Sequence, residues 1–322
     1  MTNNVTDIWA VIKNPTSGFR SKNKDWQTIV ARMKDYGIEY ILYETEFAGH
    51  AIELTRKILG EGYRRLLVVG GDGTLNEVVN GIMTSQICNS IDVTLALLPQ
   101  GTGNDWGRYW GMKRGETDIA KIINNGRIVV VDICMLSFGA NGKSYSRYFI
   151  NGIGFGLDAK VCLITNKLKD IFGGHHWLYT FALLFSVFTH KVRKCTISDC
   201  NGKTEKMSLF SASIGNACYS GGGLKQTDGI PTDGLLFGTF IKRLTFTNIV
   251  KGFSALFSGK LWEAPFCEVF ITDKLHIETE RSLLMETDGV MVDAREITRQ
   301  TGKEINEYDI KLMPSRIRML IP

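Results

Sequence analysis

The residues best suited to chemistry form a glycine-rich stretch after the apolar run 66–69, namely Gly70-Gly71-Asp72-Gly73-Thr74-Leu75-Asn76. Glycine has no Cβ, so the backbone N–H groups of such a turn can approach a phosphate chain closely. A helix that begins here would attract negative charge to its N-terminus. Asp72 lies where a carboxylate would hold Mg²⁺ or contact a reacting hydroxyl. The stretch predicts phosphate binding, although similar turns also join strands to helices in purely structural domains.

A second loop strengthens this prediction. The segment Pro99-Gln100-Gly101-Thr102-Gly103-Asn104-Asp105 also follows an apolar run, 93–98. A third polar turn, 13–20, follows the strand-like residues 8–12. Ligands of parallel sheets bind at the carboxyl ends of the strands. We therefore expect the three loops to converge on one site.

The elements that must position these loops alternate in type from residue 8 to Asp132. Such alternation predicts a parallel sheet covered by helices. The predicted strands are 8–13, 40–43, 66–69, 93–98 and 128–131, and the predicted helices are 26–36, 50–59, 75–82 and a short one from Asp118.

The pattern changes after Asp132 to period-two alternation with frequent turns. This pattern is typical of antiparallel strands, and it predicts a β-rich second domain with inserted helices. The predicted strands are 145–151, 194–198, 207–213, 235–242, 267–271, 275–278 and 283–286, and the inserted helices include 177–188 and 246–257.

The composition is that of an ordinary globular protein. A chain of 322 residues with 44% hydrophobic content can bury a sizeable core, and its length favours about two domains. The net charge of +5 is small and dispersed, which argues against nucleic acid but suits a mildly anionic membrane surface.

Cysteine and histidine usage offers no metal or disulfide signal. The seven cysteines include no Cys-x-x-Cys pair, so we expect buried thiols in a reducing compartment. The histidines show no metal-ligand spacing, and we expect His175-His176 at the start of a helix. Residues 1–7 are polar and resemble no signal peptide, from which we expect a cytoplasmic protein.

The segment 177–188 is apolar on all sides and is followed by Lys191, Arg193 and Lys194. A bilayer span takes about 20 apolar residues, so this segment is too short to cross one. It is either a buried helix of the second domain, which we favour, or a helix beside a lipid entrance. In the second case its basic tail would face anionic headgroups.

Together these motifs resemble the diacylglycerol kinase catalytic family, which includes bacterial soluble lipid kinases and the sphingosine kinases. The glycine-rich stretch alone also occurs in NAD kinases, but its combination with Gly-Thr-Gly-Asn-Asp is more specific. The resemblance rests on Asn14-Pro15 with Ser17-Gly18, residues 70–74 and 99–105, Gly154-Phe155-Gly156-Leu157-Asp158-Ala159, Gly215-Asn216, Gly221-Gly222-Gly223, residues 231–235, Asp288-Gly289 and the closing residues 316–322.

The resemblance implies an architecture of two domains. An α/β N-terminal nucleotide-binding domain with a parallel sheet would comprise 1–132, joined by about 307–322 as the C-terminus returns to it. A β-rich, antiparallel lipid-substrate domain would comprise 133–306.

The resemblance also implies the site residues. ATP would contact Asn14, Ser17, Thr45, Gly70, Gly71, Asp72, Gly73, Thr74, Leu75, Asn76 and Thr102. Asp72 and Asp105 would hold the catalytic Mg²⁺ through water. A structural Mg²⁺ would take the Asp233 carboxylate and the carbonyls of Ile230 and Leu235, where the alternative is a simple turn. Asp72 and Asp288 would be the catalytic residues.

The chain departs from the family at Asp288-Gly289-Val290, where the family has Asp-Gly-Glu and uses the glutamate as general base. Valine cannot accept a proton. Three possibilities remain: Asp72 takes the substrate proton, as in the sphingosine kinase branch; Glu286 substitutes across a two-residue hairpin turn; or the kinase is weak or inactive. We favour Asp72 over Glu286.

The expected function is ATP-dependent, Mg²⁺-assisted phosphorylation of a lipid hydroxyl, on diacylglycerol, a sphingoid base or a related lipid. The expected setting is the cytoplasm, with peripheral contact to a membrane surface. The alternatives are an NAD kinase-like enzyme and a nucleotide- or lipid-binding regulator of low activity. The sequence does not fix the lipid or the oligomeric state, a homodimer included.

Overall fold

The structure is a computed structural model that describes residues 7–17, 22–140, 143–172, 176–292, 302 and 304–322. It forms two compact units, Met1–Val131 with Ser315–Pro322, and Asp132–Pro314. Residues 18–20 of the first predicted loop, Gly18 included, and His175 lie outside the described residues.

The first unit alternates strands and helices, as predicted. Its elements are β1 (Trp9–Lys13), α1 (Lys22–Asp35), β2 (Tyr40–Glu44), α2 (His50–Gly60), β3 (Arg65–Gly70), α3 (Asp72–Thr84), a 3-10 helix (Ser90–Asp92), β4 (Thr94–Pro99), α4 (Asp105–Tyr109) and α5 (Ile119–Asn125). The strand β5 (Arg127–Ala140) leads into the second unit.

The described strands of the first unit form a parallel sheet. The strand β3 pairs with β1 and β4, and β1 pairs with β2. The end of the last strand, residues 318–320, pairs with β4 in the same direction. The side chains of Leu66, Leu67 and Val68 on the central strand are fully buried, and each contributes about 1.5–3 kcal/mol on burial. The predicted parallel sheet and the return of the C-terminus are confirmed.

Several element boundaries in this unit differ from the prediction, and the start of α3 is the one that bears on the site. The helix α3 begins at Asp72, three residues before the predicted start at Leu75. Gly71 precedes it in an extended conformation, and Asp72 adds a negative charge to the first turn, where the helix dipole favours it. The glycine-rich stretch is therefore mostly the first turn of a helix rather than a free loop.

The second unit is rich in strands. After β5 its elements are β6 (Lys143–Phe149), β7 (Gly152–Gly156), α6 (Leu157–Phe172), α7 (His176–Thr189), β8 (Arg193–Asp199), β9 (Thr204–Gly215), β10 (Tyr219–Ser220), β11 (Leu224–Lys225), β12 (Leu236–Lys242), α8 (Phe246–Phe257), a 3-10 helix (Leu261–Glu263), β13 (Cys267–Thr272), β14 (Lys274–Thr279), β15 (Met285–Thr287), β16 (Val290–Val292) and β17 (Glu307–Ile321).

The described strand pairs of the second unit are antiparallel, which confirms the predicted class. The strand β9 lies between β7 and β8 and also pairs with β12. The core beneath these strands includes the aromatic side chains of Phe149, Phe155, Phe240, Phe270 and Tyr308, each at most 1% exposed. The first residues of β17 pair with β14 in this unit.

The helices of the second unit pack around a separate apolar cluster. Val161 of α6, together with Leu183 and Val187 of α7, is buried there against Phe210. The other side of α7 is exposed, with Phe185 50% and Phe188 71% accessible. The helix is therefore neither wholly buried nor wholly surface. Among the described residues, no helix is long and apolar enough to cross a membrane.

Candidate functional site

The two glycine-rich segments of the first unit touch through their backbones. A Cβ at Gly71 would lie 2.9 Å from the Cα of Gly101, and a Cβ at Gly101 would lie 2.7 Å from the Cα of Gly71. Real Cβ atoms essentially never approach so closely, so only glycine fits both positions. The N–H of Gln100 also donates to the carbonyl of Gly70 at 2.8 Å. The predicted meeting of these segments is therefore a direct contact.

The Asp72 carboxylate joins the second loop to the start of α3. Its Oδ2 accepts the N–H of Asp105 at 3.1 Å, and its Oδ1 accepts the N–H of Trp106 at 3.2 Å. Burial raises the pKa of Asp72, and these backbone donors oppose that rise. The carboxylate thereby satisfies backbone donors in the first turn of α4.

The second loop owes its shape to Asn104. This residue has a φ of 52°, and its side chain both accepts the N–H of Gly101 and donates to the Gly101 carbonyl, each at 2.8 Å. Asparagine tolerates this left-handed conformation better than most residues. Thr102 lies between Gly101 and Asn104 in this loop and is partly exposed, whereas Asp105 is buried in the first turn of α4.

The loop after β1 is tied to α3 by a side-chain hydrogen bond. The Asn14 amide donates to the Thr74 hydroxyl at 3.1 Å, and the Asn14 Oδ1 accepts the N–H of Thr16 at 2.9 Å. The N–H of Ser17 donates to the Asn14 carbonyl at 3.2 Å. These bonds bring the predicted ATP-contacting residues of two loops together. Gly70, Gly73, Leu75 and Asn76 lie beside them on β3 and α3, and the side chains of Leu75 and Asn76 are fully buried.

The loop after β2 is held by Glu77, which was not among the predicted site residues. Glu77 of α3 accepts the N–H groups of Gly49 and Ala51 at 2.8 and 3.2 Å. Thr45 at the start of this loop is buried, and its N–H donates to the Lys13 carbonyl at 2.9 Å. The signal for Glu77 was an acid five residues along the helix from Asp72, together with the N–H groups at the start of α2, which need acceptors outside their own helix.

The residues predicted to hold a structural Mg²⁺ form a turn in the second unit. Asp233 and Leu235 are linked, because the Asp233 Oδ1 accepts the N–H of Leu235 at 2.9 Å. Asp132, at the predicted end of the first domain, accepts the N–H of Gly234 at 2.9 Å. Ile230 is exposed, and its carbonyl accepts the N–H of Thr232 at 2.8 Å.

Oxygen ligands are the type that Mg²⁺ prefers, but in this turn the Asp233 carboxylate and the Ile230 carbonyl each already accept a backbone N–H. No group of three or more His, Cys, Asp or Glu side chains that could hold a metal occurs in the part of the chain that the structure describes. A cation at either predicted position would therefore depend on backbone carbonyls, water or phosphate as well as carboxylates.

The Asp288-Gly289 pair is a two-residue hairpin turn between β15 and β16. Both residues have positive φ, 49° and 80°, which suits the turns that join tightly paired strands. The Asp288 carboxylate accepts three backbone N–H groups, those of Ile150, Asn151 and Gly152, at 2.9 Å each. The predicted catalytic residue Asp288 thus fixes the hairpin to residues 150–152, where β7 begins.

Glu286 and Val290 lie on opposite faces of this hairpin. Glu286 pairs with Met291 and with Gly154, whereas Val290 pairs with Thr287. Directly paired residues share a face and successive residues alternate, so the Glu286 side chain points away from the Val290 side. Its Oε2 accepts the N–H of Gly289 at 2.6 Å. This position disfavours Glu286 as a replacement for a glutamate at 290.

Comparison with known proteins accounts for both units. Residues 8–136 match the model of the diacylglycerol kinase catalytic domain, and residues 151–316 match that of the YegS C-terminal NAD kinase beta sandwich-like domain. The chain is 40% identical to a diacylglycerol kinase of Staphylococcus carnosus over 51% of its own length and 50% of that protein. The chain thus spans about half the length of this and other staphylococcal relatives that it matches.

A second relative matches more of the chain. It is YtlR of Bacillus subtilis, named as a candidate lipid kinase, which is 31% identical over 67% of this chain and 71% of that protein. A crystal structure described as a diacylglycerol kinase from Bacillus anthracis shares the fold, with a TM-score of 0.68 over 98% of this chain and 97% of that chain at 20% identity. The two domain matches and the YtlR alignment show that the chain belongs to the diacylglycerol kinase catalytic family with a YegS-type C-terminal domain.

Proposed function

We propose that this protein is a lipid kinase that transfers the γ-phosphate of ATP to a lipid hydroxyl with the help of Mg²⁺. The observation that carries the proposal is the backbone contact between Gly71 and Gly101, beside the Asp72 carboxylate. Phosphoryl transfer needs positioning and charge neutralisation more than covalent chemistry. Two glycine-rich segments in contact at the carboxyl edge of a parallel sheet suit that need.

The residues of the first unit would act as follows. The N–H groups of the glycine-rich segments bind phosphate oxygens, and the first turn of α3 adds its favourable dipole. The hydrogen bond between Asn14 and Thr74 orients both side chains at the same edge. Asp72 and Asp105 would hold Mg²⁺ through water, and the ion would neutralise charge on the phosphates when bound.

Asp72 is the residue we propose as acceptor of the substrate proton. Val290 cannot accept a proton, and Glu286 faces the other side of the hairpin and is held by the N–H of Gly289. Asp288 is engaged by three backbone donors, which suits a role in fixing the hairpin rather than in chemistry. Asp72 is the remaining acid in the phosphate-binding stretch.

The second unit would bind the lipid at a membrane surface. Besides Phe185 and Phe188, the exposed face of α7 includes Phe181 and Leu184, and the helix is followed by Lys191, Arg193 and Lys194. Exposed apolar side chains beside basic residues are typical of helices that lie in the interface of an anionic membrane. The buried face of α7 packs within the second unit, and its exposed face would be the one that contacts the membrane.

Product analysis distinguishes this proposal from its alternatives. The full chain is incubated with Mg²⁺ and ATP carrying a labelled γ-phosphate, together with diacylglycerol or a sphingoid base in detergent micelles, or with NAD. We expect label in a lipid. Label in NAD alone would support an NAD kinase-like enzyme, which the match to the diacylglycerol kinase catalytic domain disfavours. ATP binding without turnover of any substrate would support a regulator.

A further inference from the structure

Three cationic side chains without acidic partners lie at the C-terminal end of α7. The Lys160 ammonium of α6 donates to the Thr189 hydroxyl at 2.7 Å, and that hydroxyl donates to the Phe185 carbonyl at 2.7 Å. Lys160 forms no ion pair with any residue that the structure describes, and neither do Lys191 and Arg193, which follow the helix. Burial lowers the pKa of Lys160, the direction expected for a cation that has no anionic partner.

The side chain of His190 shows that the cations lie close together. Its ring packs edge-on against Phe210, with the ring centroids 5.4 Å apart. Burial, Lys160 and Arg193 together lower the pKa of His190 to about 4, so the ring is neutral at pH 7. Both cations therefore act on one ring, and the ring itself adds no charge. Lys191 lies between His190 and Arg193 in the chain.

The acidic residues next to these cations in the chain or in the sheet have other partners. Glu280 forms an ion pair with Lys194 at 3.4 Å, which leaves Lys194 out of the cluster. Asp158 accepts a hydrogen bond from the Gln226 amide at 3.3 Å. Asp158 is also two positions before Lys160 on α6, and residues two apart do not face each other on a helix. Like charges that lie together repel each other, so binding an anion would lower the free energy of this cluster.

The cluster adjoins the exposed apolar face of α7. Phe181, Phe185 and Thr189 are spaced by four residues and share that face, and the rings of the two phenylalanines stack with centroids 6.4 Å apart. Because Thr189 holds the Lys160 ammonium, this charge lies one turn beyond Phe185. Helices that lie in a membrane interface place apolar side chains among the acyl chains and flanking cations at the level of the headgroups.

We propose that Lys160, Lys191 and Arg193 bind the phosphate group of an anionic phospholipid when the apolar face of α7 enters a membrane. Ammonium and guanidinium groups are the usual side-chain partners of phosphate oxygens. Thr189 is a positioning residue that fixes the Lys160 ammonium. The inference rests on the proposed function, from which it takes the membrane contact of α7. The bound phospholipid is a different molecule from the lipid substrate, because a diacylglycerol or a sphingoid base carries no phosphate before the reaction.

Cosedimentation with vesicles tests this site in the absence of ATP and of a kinase substrate. Phosphatidylcholine vesicles with and without phosphatidylglycerol are compared. Lys160→Gln keeps the length of the side chain but removes its charge, so we expect binding to the anionic vesicles to weaken by about fivefold or more, since a cation near such a surface is worth about that factor. Lys160→Arg should bind as wild type does. Lys191→Gln, at an exposed residue outside the helices, should also weaken binding and serves if Lys160→Gln does not fold.

Lys311→Gln is the matched control, because Lys311 is an exposed lysine of the same unit that lies far from the cluster. The strand β8 runs from Arg193 to Asp199, which pairs with Leu275, and the neighbouring Lys274 pairs with Lys311. Six residues of strand span about 20 Å. We expect Lys311→Gln to bind as wild type does. Equal losses in the Lys160 and Lys311 glutamine variants, or no loss in Lys160→Gln, would overturn the proposal.

Inorganic phosphate distinguishes a membrane phospholipid from free phosphate as the ligand. Thermal unfolding of wild type and Lys160→Gln is measured without vesicles, in sodium phosphate and in sodium chloride of equal ionic strength. We expect phosphate to change the Tm of both proteins equally. A larger rise in wild type, together with vesicle binding that does not depend on Lys160, would assign the site to free phosphate and overturn the proposal.

These binding assays separate this inference from the proposed function. A chain that binds anionic vesicles through Lys160 but phosphorylates no lipid would keep the inference and refute the kinase. A chain that phosphorylates lipid in micelles but binds phosphatidylglycerol vesicles no better than neutral ones would keep the kinase and refute the inference.

Discussion

At the scale of single residues, Asp72 combines two roles that a substitution can separate. Its carboxylate shapes the second loop by accepting the N–H groups of Asp105 and Trp106. We also propose that the same carboxylate holds Mg²⁺ through water and accepts the substrate proton. An amide oxygen still accepts one hydrogen bond, but an amide neither binds Mg²⁺ as well nor accepts a proton.

We therefore expect Asp72→Asn to lower the turnover of lipid by about 10²-fold or more while the fold is retained. Asp92→Asn, at an exposed acid of the same unit, controls for loss of one charge. Steady-state rates and melting curves of the three proteins are the measurement. A turnover within about tenfold of wild type, with equal melting, would remove Asp72 from the mechanism.

Substitutions at Val290 test directly whether a general base can act from this position. The family carries glutamate at this position, and a positioned base contributes typically about 10²–10⁴-fold. We expect Val290→Glu to turn over lipid faster than both wild type and Val290→Gln, because the glutamine variant matches the new side chain in shape but cannot accept a proton. Equal rates for the glutamate and glutamine variants would show that position 290 offers no site for a base.

Among the elements, the helix α7 has one buried face and one exposed apolar face, and the sequence did not distinguish them. Its all-round apolar pattern could not show which face is buried, because periodicity is informative only where polar residues alternate with apolar ones. In the structure, Leu183 and Val187 face the cluster shared with α6, while Phe181, Leu184, Phe185 and Phe188 are exposed. Several phenylalanine side chains exposed on one helix face raise the free energy of the protein in water, and burial in a membrane would remove this penalty.

Replacing Phe181 and Phe185 with serine should weaken binding to anionic vesicles by about tenfold or more, since burying one phenylalanine is worth about 1.5–3 kcal/mol. Ile87→Ser, at an isolated exposed apolar residue of the first unit, is the control. Cosedimentation with anionic and neutral vesicles at several salt concentrations is the measurement. Binding should also fall with salt, because salt screens the basic residues after α7. Unchanged binding by the double variant would exclude α7 as the contact.

The hairpin shows what register adds to a sequence motif. The two-residue turn and the pairing of Glu286 with Met291 were predictable from the Asp-Gly dipeptide. That pairing already places Glu286 on the face opposite Val290, but the sequence did not show that Glu286 meets Asp158 across Gly154. Such meetings depend on how β15 pairs with β7, which is a long-range feature that local patterns do not encode.

In the molecule as a whole, the fold class and the contact between the two glycine-rich segments were predictable, because glycine-rich turns after buried strands leave a strong local signal. The residues that support them were harder to find. Glu77 and Asp132 act on loops that are distant in sequence, and each looks like an ordinary surface acid or cap until its partners are known. The limits of the last strand were also hidden, because β17 pairs with β14 early and with β4 late.

The proposed phosphate site of a lipid kinase depends on the contact between Gly71 and Gly101. A methyl group at Gly101 must displace the Gly71 backbone, which lies 2.7 Å from the new atom, and overpacking of this kind costs about 1–3 kcal/mol. Gly60→Ala is the matched control, because its methyl group would meet only a side-chain carbon at 3.6 Å.

The most direct measurement is the Mg²⁺-dependent rate of lipid phosphorylation at varied ATP, compared among wild type, Gly101→Ala and Gly60→Ala at a temperature where all three are folded. We expect Gly60→Ala to match wild type, and we expect Gly101→Ala to show a KM for ATP raised by about tenfold or more and a lower turnover. A Gly101→Ala protein with the wild-type KM for ATP and the wild-type turnover would contradict this expectation.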